Sequence, residues 1–475
     1  MFERIIGIDP AIKSKHTAAI LDSSGNVIRR NYKFAPTKSD FDALLTAARL
    51  DGISFDKICI VCEPTSLVWM PIVSYFSSLG CTIFMIKPEK SAAIRKFYKK
   101  HAKTDAIDSL SLARMVFFDP DGLYPLSLRP ADYVALERLC KQRDKLTSSI
   151  SANKNRIKTI FQMANPSVSE TFEDLLSAAG RKFLRNYVDP RKILSTGAEQ
   201  LSLSLNNSSR GQTHLETINA IFACARNTLQ LYATPLKNGT LPFNYEQLQL
   251  EVNIYLDTIE SAEKNIALLN SEIQRLYHKI DPDECLKSLK GFDTYSAAIV
   301  TSITGNVNRF RNNRQYKAFS SVPPKIKSTS DTQSQGLSIS KGSNPLLRKT
   351  LYMAAESARH WDVDFAKKYR ECIVLKRMHH KQAICVLANM MASRVFSLLK
   401  NSHYYQLRDA AGSPVDKKAA RNIILSDFKV TKKDRQATSN HRKRGKGTLH
   451  LDSIYPRQSL NSSLSNRASS SPTLN

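Results

Sequence analysis

RIIGIDPAIKSKHTAAILDSSGNVIRRNYKF (residues 4–34) decides the fold of the amino-terminal region. It contains two short apolar runs, RIIGID and HTAAILD, and a Ser-Ser-Gly-Asn turn that leads into a third run, VIRRNYKF. Two further runs, KICIVCE (57–63) and TIFMIKP (82–88), alternate with predicted helices. Hairpin strands followed by alternating helices and strands predict an α/β domain, in which helices cover a mixed sheet.

Four acidic residues stand out in this region because of where they occur. Asp9 closes RIIGID and Glu63 closes KICIVCE, while KTDAIDSLSLARM places Asp105 and Asp108 on one face of a predicted helix. A two-metal phosphodiester site needs such a set, which holds two ions roughly 4 Å apart. Oxygen ligands favour Mg²⁺ or Mn²⁺ over zinc. The alternative for each acid taken singly is a helix cap or a surface charge.

The bulk composition points to a polyanionic partner. The 475 residues carry a formal net charge of +28, and such a charge is typical of nucleic-acid binding, with an anionic membrane surface as the second choice. No stretch approaches the ~18 uninterrupted apolar residues of a membrane span, and MFERIIGID has no signal-peptide layout. Eight scattered cysteines indicate free thiols, so we expect a protein of the reducing cytoplasm.

Beyond the α/β region the pattern predicts long helices, and the whole chain reads as four segments. Residues 252–276 repeat apolar positions every seven residues, which is typical of a coiled coil or a long antiparallel helix pair. Packing of these stripes within one chain and oligomerisation are both open. CLKSLKGFDTYSAAIVTSITG predicts a helix, a turn at Gly291 and a second helix. The predicted boundaries are 1–130 for the α/β catalytic domain, 131–283 for a helical coiled-coil region with an insert, 284–404 for a mainly α domain, and 405–475 for a basic, disordered tail.

These motifs resemble a known family. GIDPAIKSKHTAAILDSSGNVI, VCEPTS and KTDAIDSLSLARM are similar to the DEDD domain of the insertion-sequence transposases grouped with Piv and MooV (insertion-sequence family 110). The resemblance implies an RNase H-like (RuvC-like) fold with Asp9, Glu63, Asp105 and Asp108 as Mg²⁺ (or Mn²⁺) ligands. LKSLKGFDTYSAAIVTSITGNVNRF and HHKQAICVLANMMASRVFSLLK resemble the family's carboxyl-terminal domain, including its helix-hairpin-helix opening.

The same resemblance implies a serine nucleophile in the loop KSTSDTQSQGLSISK, where Ser330 is the aligned residue. The loop departs from the family pattern, since Asp331 stands where glycine usually follows the serine, and Ser328 lies nearby. Family likeness also implies donor and target DNA, a structured guide RNA and a homo-oligomer (dimer or tetramer) as partners. The function implied is a DNA transposase or site-specific recombinase, an enzyme that cuts and rejoins duplex DNA.

Two basic stretches are candidate phosphate contacts, although part of each is expected to be solvated surface. The residues are Lys96, Lys99, Lys100 and Lys103 before the second acid pair, and Lys341, Arg348 and Lys349 beside the serine loop. Two other functions stay open: a metal-dependent hydrolytic junction nuclease that uses only the acids, and an inactive nucleic-acid-binding relic. Replacing Ser330 separates the recombinase from the hydrolase, and a cleavage assay with magnesium separates the relic from both.

Overall fold

The structure is a computed structural model of the chain. It describes residues 2–49, 52–98, 104–206, 215–320, 328–329, 332–333 and 344–436. By internal contacts the chain divides into two compact units, residues 1–128 and 129–475, and each is described by itself.

The first unit is a mixed five-stranded sheet with helices on both faces, as the sequence predicts. Its strands are β1 (Arg4–Asp9), β2 (His16–Asp22), β3 (Val27–Phe34), β4 (Ile58–Cys62) and β5 (Thr82–Met85), and its helices are α1 (Lys38–Ala48), α2 (Trp69–Ser78), α3 (Pro88–Tyr98) and α4 (Asp105–Phe118). The strand order is β3-β2-β1-β4-β5. The hairpin pairs β1–β2 and β2–β3 are antiparallel, whereas β1–β4 and β4–β5 are parallel. This arrangement is consistent with an RNase H-like domain.

Alternation along β1 sends its side chains to two different cores. Ile6 and Ile8 pack with α1 and α2, while Ile5 packs with α4 on the other face. Gly7 lies on the α4 face, and a Cβ built there would stand 2.1 Å from the Ser109 carbonyl oxygen. Only glycine permits this approach, so α4 lies directly on the strand.

The second unit is built on two long helices that lie antiparallel. Its strands and helices are α5 (Ala131–Ala164), α6 (Ala178–Leu184), α7 (Pro190–Thr196), α8 (Ala198–Asn206), α9 (Leu215–Leu231), α10 (Ala233–Lys237), α11 (Tyr245–Ile280), α12 (Thr294–Thr304), α13 (Asn313–Ser320), β6 (Ser328–Thr329), β7 (Thr332–Gln333), α14 (Pro345–Ala358), α15 (Val363–Arg370), α16 (His380–Asn401) and α17 (Lys417–Asp427). At one end of the pair the Lys279 ammonium lies 2.8 Å from the Asp132 carboxylate. At the other end the Tyr245 hydroxyl donates to the Ala164 carbonyl at 3.1 Å. The heptad stripe of α11 therefore packs within the chain.

The helical insert between α5 and α11 has its own apolar core. Phe183, Leu184, Ile193, Leu201 and Ile221 are buried there with one end of the long helix pair. The opposite end of the pair, with Leu136 and Leu276, shares a core with α12, α14 and α16. Side chains from both sides of the predicted boundary at 283/284 thus contribute to one core.

Helix α16 is the one helix in the described part of the chain that is long and apolar enough to cross a membrane. It lies in the core of the second unit, where Ala383, Leu387, Met391 and Val395 are buried. Its hydropathy is therefore that of a buried core helix.

Two predictions for this unit need correction. The first helix of the predicted hairpin is only a 3₁₀ turn at Cys285–Ser288. The second is the α-helix α12, which Asp293 begins through a capping box with Ser296. The tail predicted as disordered from 405 is folded as far as 436. Leu407, Ala420 and Ile424 are buried against Val363 and Ala366, although this segment has too few apolar residues for the periodicity to be visible. Residues 437–475 lie outside the described residues.

Candidate active site

Two of the predicted site acids end neighbouring parallel strands in register. Ile8 of β1 pairs with Cys62 of β4, so Asp9 and Glu63 follow at equivalent positions on the same edge of the sheet. Alternation puts both side chains on the α4 face, since Gly7 lies two residues before Asp9, and Val61, buried with α4, lies two residues before Glu63. Adjacent strands are about 4.8 Å apart, so the two carboxylates are neighbours.

The line of neighbouring residues that starts with Glu63 and Asp9 on the α4 face continues across the antiparallel strands. Asp9 pairs with Thr17 of β2, and Thr17 pairs with Lys33 of β3. Directly paired residues share a face of the sheet. The Lys33 ammonium donates to the Thr17 hydroxyl oxygen at 2.8 Å and to Asp105 Oδ2 at 3.1 Å. Lys33 therefore connects β2, which pairs with the strand carrying Asp9, to the amino terminus of α4.

Helix α4 begins at the site and carries the other acid pair. Its N-cap is Thr104, whose side chain accepts from the Ile107 N–H, and Asp105 and Asp108 occupy the first turn. Acids are favourable there because the helix dipole is positive at its amino terminus. Asp105 is exposed and Asp108 half-buried. Since Ser109 of the same turn contacts Gly7, the helix amino terminus lies beside the end of β1.

The four acidic residues lie at one end of the sheet, but their carboxylates do not converge on one point. Among the described residues, no group of three acidic, histidine or cysteine side chains stands ready to hold one metal ion. Two of the acids are engaged by neighbours: Lys33 pairs with Asp105, and the Ser91 hydroxyl donates to Glu63. Carboxylate oxygens are the donors that Mg²⁺ and Mn²⁺ prefer, so the chemistry of the set fits a hard divalent cation.

Strand β4, which leads into Glu63, carries two buried thiols, Cys59 and Cys62. Burial raises the pKa of the Cys62 thiol, and the negative charges of Asp9 and Glu63 raise it further. Burial also raises the pKa of Cys59 to about 12. Both thiols are therefore protonated at neutral pH, and neither is a thiolate ligand as it stands.

The predicted nucleophile and most of the basic candidates fall where the structure gives no side chains. Ser330, Lys99, Lys100, Lys103 and Lys341 lie outside the described residues, and the side chain of Lys96 in α3 is not described. Strands β6 and β7, on either side of residues 330–331, pair antiparallel. Arg348 and Lys349 are the fourth and fifth residues of α14, where Arg348 is half-buried and Lys349 pairs with Asp144 at 2.5 Å.

Sequence reasoning missed Lys33, Thr17 and Ser91 as neighbours of the acids. The signal for Lys33 was weak because the β2–β3 register shifts between Ala18 and Leu21, and Asn31 has a left-handed backbone (φ 52°). This irregularity moves the pairing by two residues, so that Lys33 and not Asn31 lies opposite Thr17. Ser91 meets Glu63 across 28 residues of chain, a separation that no local pattern reports.

Comparison with known proteins gives consistent similarities over two separate stretches of the chain. Residues 6–166 match a family model for DEDD transposases of IS110 type, described as "Transposase". Residues 283–370 match the model described as "Transposase IS116/IS110/IS902 family". The chain is also similar to the "Insertion element IS110 uncharacterized 43.6 kDa protein" of Streptomyces coelicolor, with 23% identity over 369 residues that cover 75% of this chain and 87% of the relative.

Proposed function

The chain belongs to the IS110 family of insertion-sequence transposases and is a transposase enzyme, and from this premise we propose that it cuts and rejoins duplex DNA by using the carboxylates at the sheet edge together with a serine nucleophile. The observation that supports this most is the in-register placement of Asp9 and Glu63, with Asp105 held beside them by Lys33. Acids gathered in this way from strand ends and a helix start suit phosphodiester chemistry.

In this proposal the ligands of two Mg²⁺ or Mn²⁺ ions are Asp9, Glu63, Asp105 and Asp108. When bound, the ions supply activation of the attacking oxygen and charge stabilisation at the leaving oxygen. The chain's own contribution is to orient the carboxylates: β1 and β4 set the spacing of one pair, and α4 sets that of the other. Lys33 and Ser91 hold Asp105 and Glu63 in place until they bind metal.

The serine would make the reaction reversible. The Ser330 hydroxyl oxygen forms a bond to phosphorus while the bond from phosphorus to the leaving strand's oxygen breaks, and the hydroxyl proton passes to that oxygen. The number of phosphodiester bonds is conserved, so strands can be exchanged without a high-energy cofactor. The basis for Ser330 is the sequence likeness to the family.

Transposase activity implies DNA as a partner. We propose that the chain also binds a structured guide RNA and acts as a dimer or tetramer. The net charge of +28 supports a second nucleic-acid partner without distinguishing RNA from DNA. Sequencing the nucleic acid that co-purifies with the full-length protein would identify guide and target together, and recovery of DNA alone would remove the guide RNA from the proposal.

The central experiment compares Asp9→Asn, Asp105→Asn and Ser330→Ala in a Mg²⁺-dependent cleavage assay on a nicked duplex. We expect both acid variants to lose cleavage and Ser330→Ala to lose a denaturation-resistant protein–DNA adduct while still binding DNA. Asp56→Asn is the matched control, because Asp56 is exposed and its carboxylate accepts a hydrogen bond from the nearby Ser54 hydroxyl, away from the acid site. Cleavage that persists in Ser330→Ala would favour a hydrolytic junction nuclease, and loss of the adduct in Ser328→Ala alone would move the nucleophile by two residues.

A further inference from the structure

The second unit contains an open cavity of about 550 Å³ that the acid site does not use. Its walls come from α5, from the turn before α12, from α12 and α14, and from Trp361 and the start of α17. A cavity of this size falls within the roughly 300–1,000 Å³ range of small-molecule sites in proteins. Its residues come from segments separated by more than two hundred positions, so it exists only in the folded unit.

The rim of the cavity is cationic. Four basic side chains line it, namely Arg143, Lys290, Lys349 and Lys417, against two acids, Asp144 and Asp293. Both acids have structural partners: Asp144 pairs with Lys349 at 2.5 Å, and Asp293 accepts from the Ser296 backbone N–H at 2.8 Å. The lining therefore carries a net charge of +2, by the difference between four cations and two anions.

Two of the cations are held in position by aromatic rings. The Arg143 guanidinium lies 3.7 Å from the centre of the Tyr295 ring, and the Lys417 ammonium lies 4.5 Å from the centre of the Trp361 ring. Arg421 lies on the same tryptophan at 5.1 Å. Such contacts fix the orientation of long basic side chains, so that less entropy is lost when an anion binds.

The floor of the cavity is apolar. Phe292, Leu346 and Ala354 are buried there, and Met353 lies exposed at the wall. Apolar surface below and fixed cations above suit a ligand with one flat, weakly polar part and one anionic part. A nucleotide has this composition, because its base can lie on apolar or aromatic surface while its phosphate meets the rim.

We propose that this cavity binds one nucleotide of a single-stranded nucleic acid, with the base on the Phe292–Leu346–Ala354 floor and the phosphate between Lys290 and Lys417. A polynucleotide is favoured over a free mononucleotide because the positive charge continues past the rim, along α17, through Lys418 and Arg421. The site takes its occupant from a strand that is unpaired, since a base held in a duplex cannot enter a cavity. This binding goes beyond the proposed acid and serine chemistry and does not depend on it.

The test uses full-length protein and a short fluorescein-labelled oligothymidylate, followed by fluorescence anisotropy over a range of salt concentrations. Met353→Trp should fill the cavity and reduce affinity about tenfold, a loss comparable to that of one base contact. Lys417→Gln should reduce affinity and lower the slope of log K against log salt by about one. Lys237→Gln is the matched control, since it removes the same charge from the exposed helix α10.

A second measurement keeps the proposal testable if a variant folds poorly. The chain has two tryptophans, so Trp69→Phe leaves Trp361 as the reporter beside the cavity. Oligothymidylate should change its fluorescence, while a duplex of equal length and thymidine monophosphate should change it far less. An RNA oligonucleotide in parallel separates RNA from DNA as the source of the strand. Equal losses in Lys417→Gln and Lys237→Gln, unchanged affinity in Met353→Trp, or an equal response to the mononucleotide would overturn the proposal.

Discussion

At the scale of single residues, Lys33 is the side chain whose role the structure changed most. Its ammonium contacts both Thr17 and Asp105 at the predicted acid site. A cation there balances carboxylates that otherwise repel one another. We therefore expect it to compete with metal for one Asp105 oxygen.

Lys33→Met should consequently bind Mn²⁺ more tightly, by about two- to fivefold, which corresponds to the weak free energy of a partly exposed ion pair. Isothermal titration calorimetry on the full chain measures this directly, without reference to cleavage. Lys38→Met is the control, because Lys38 forms a comparable surface pair with Asp42 at 2.6 Å on α1. Weaker Mn²⁺ binding by Lys33→Met than by the control would mean that Lys33 supports the metal site.

A second residue with a measurable signature is Glu137 of α5. It is buried, and it accepts from Lys141 and Arg129 at 2.6 Å and from the Asn344 amide at 3.2 Å. Burial alone would raise the pKa of Glu137, but the hydrogen bond from Lys141 and the charge of Arg129 outweigh it, so the pKa lies below the usual value of 4.5. Because Arg129 also donates to the Ser302 carbonyl at 2.7 Å, Glu137 links α5, α12 and α14.

A carboxyl group whose pKa is lowered by folding stabilises the folded state at pH values above the pKa that the group has in the unfolded chain. The contribution of Glu137 should therefore be complete above about pH 4.5 and should disappear as the pH falls through its lowered folded pKa. Glu137→Gln should cost roughly 1–3 kcal/mol at neutral pH, the cost of leaving buried partners poorly satisfied. Urea unfolding across this pH range should show the difference between the two proteins shrinking at acidic pH, and a constant difference would contradict the ionic role.

At the scale of elements, the contact between β1 and α4 places both acid pairs at the same end of the sheet. A Cβ at residue 7 would meet the Ser109 carbonyl oxygen at 2.1 Å and the Ala113 nitrogen at 2.4 Å, both of them backbone atoms. Helix backbone cannot yield as a flexible side chain does. The position of Asp105 and Asp108 relative to Asp9 therefore depends on this glycine.

Gly7→Ala should destabilise the protein by roughly 1–3 kcal/mol, the range for overpacking, and should reduce cleavage by more than its effect on the folded fraction. The control is Gly80→Ala, where nothing lies within 4 Å of the added methyl and only the left-handed backbone (φ 94°) is strained. Denaturant unfolding and the cleavage assay together separate the two effects. Equal activity per folded molecule in both variants would show that α4 can shift without harm to the site.

At the scale of the whole molecule, the carboxyl-terminal segment contains two different parts. Residues 405–436 belong to the second unit, where the Tyr405 hydroxyl donates to Asp362 at 2.7 Å and α17 buries Ile424. The basic cluster HRKRGK (441–446) comes after this folded part.

Truncation after Gln436 should leave thermal unfolding unchanged but weaken DNA binding and flatten its salt dependence, because phosphate contacts are lost. Truncation after Tyr404 should instead lower the melting temperature, since it exposes the apolar surface around Val363 and Ala366. Differential scanning calorimetry and binding at several salt concentrations measure both expectations. Equal melting temperatures for the two truncations would contradict the folded role of 405–436.

The sequence by itself determined the strands of the first unit, the long helices and the positions of the four acids, because these follow from local apolar periodicity and from where each run ends. Turn chemistry at residues 23–26 and the carboxylates after RIIGI and KICIVC are local signals of that kind. The amino-terminal motifs lie within the residues matched by one family model, and LKSLKGFDTYSAAIVTSITGNVNRF lies within the residues matched by the other, so the family likeness was also visible in the sequence.

Only the tertiary structure decided what brings distant residues together. A bulge between β2 and β3 put Lys33 beside Asp105, a buried hydroxyl joined Ser91 to Glu63, and α17 brought Lys417 to Trp361. Each depends on register shifts or on long-range packing, which local periodicity does not encode. The tail was mistaken for disorder for the same reason: its few apolar residues are buried by a partner helix, and their own spacing does not reveal it.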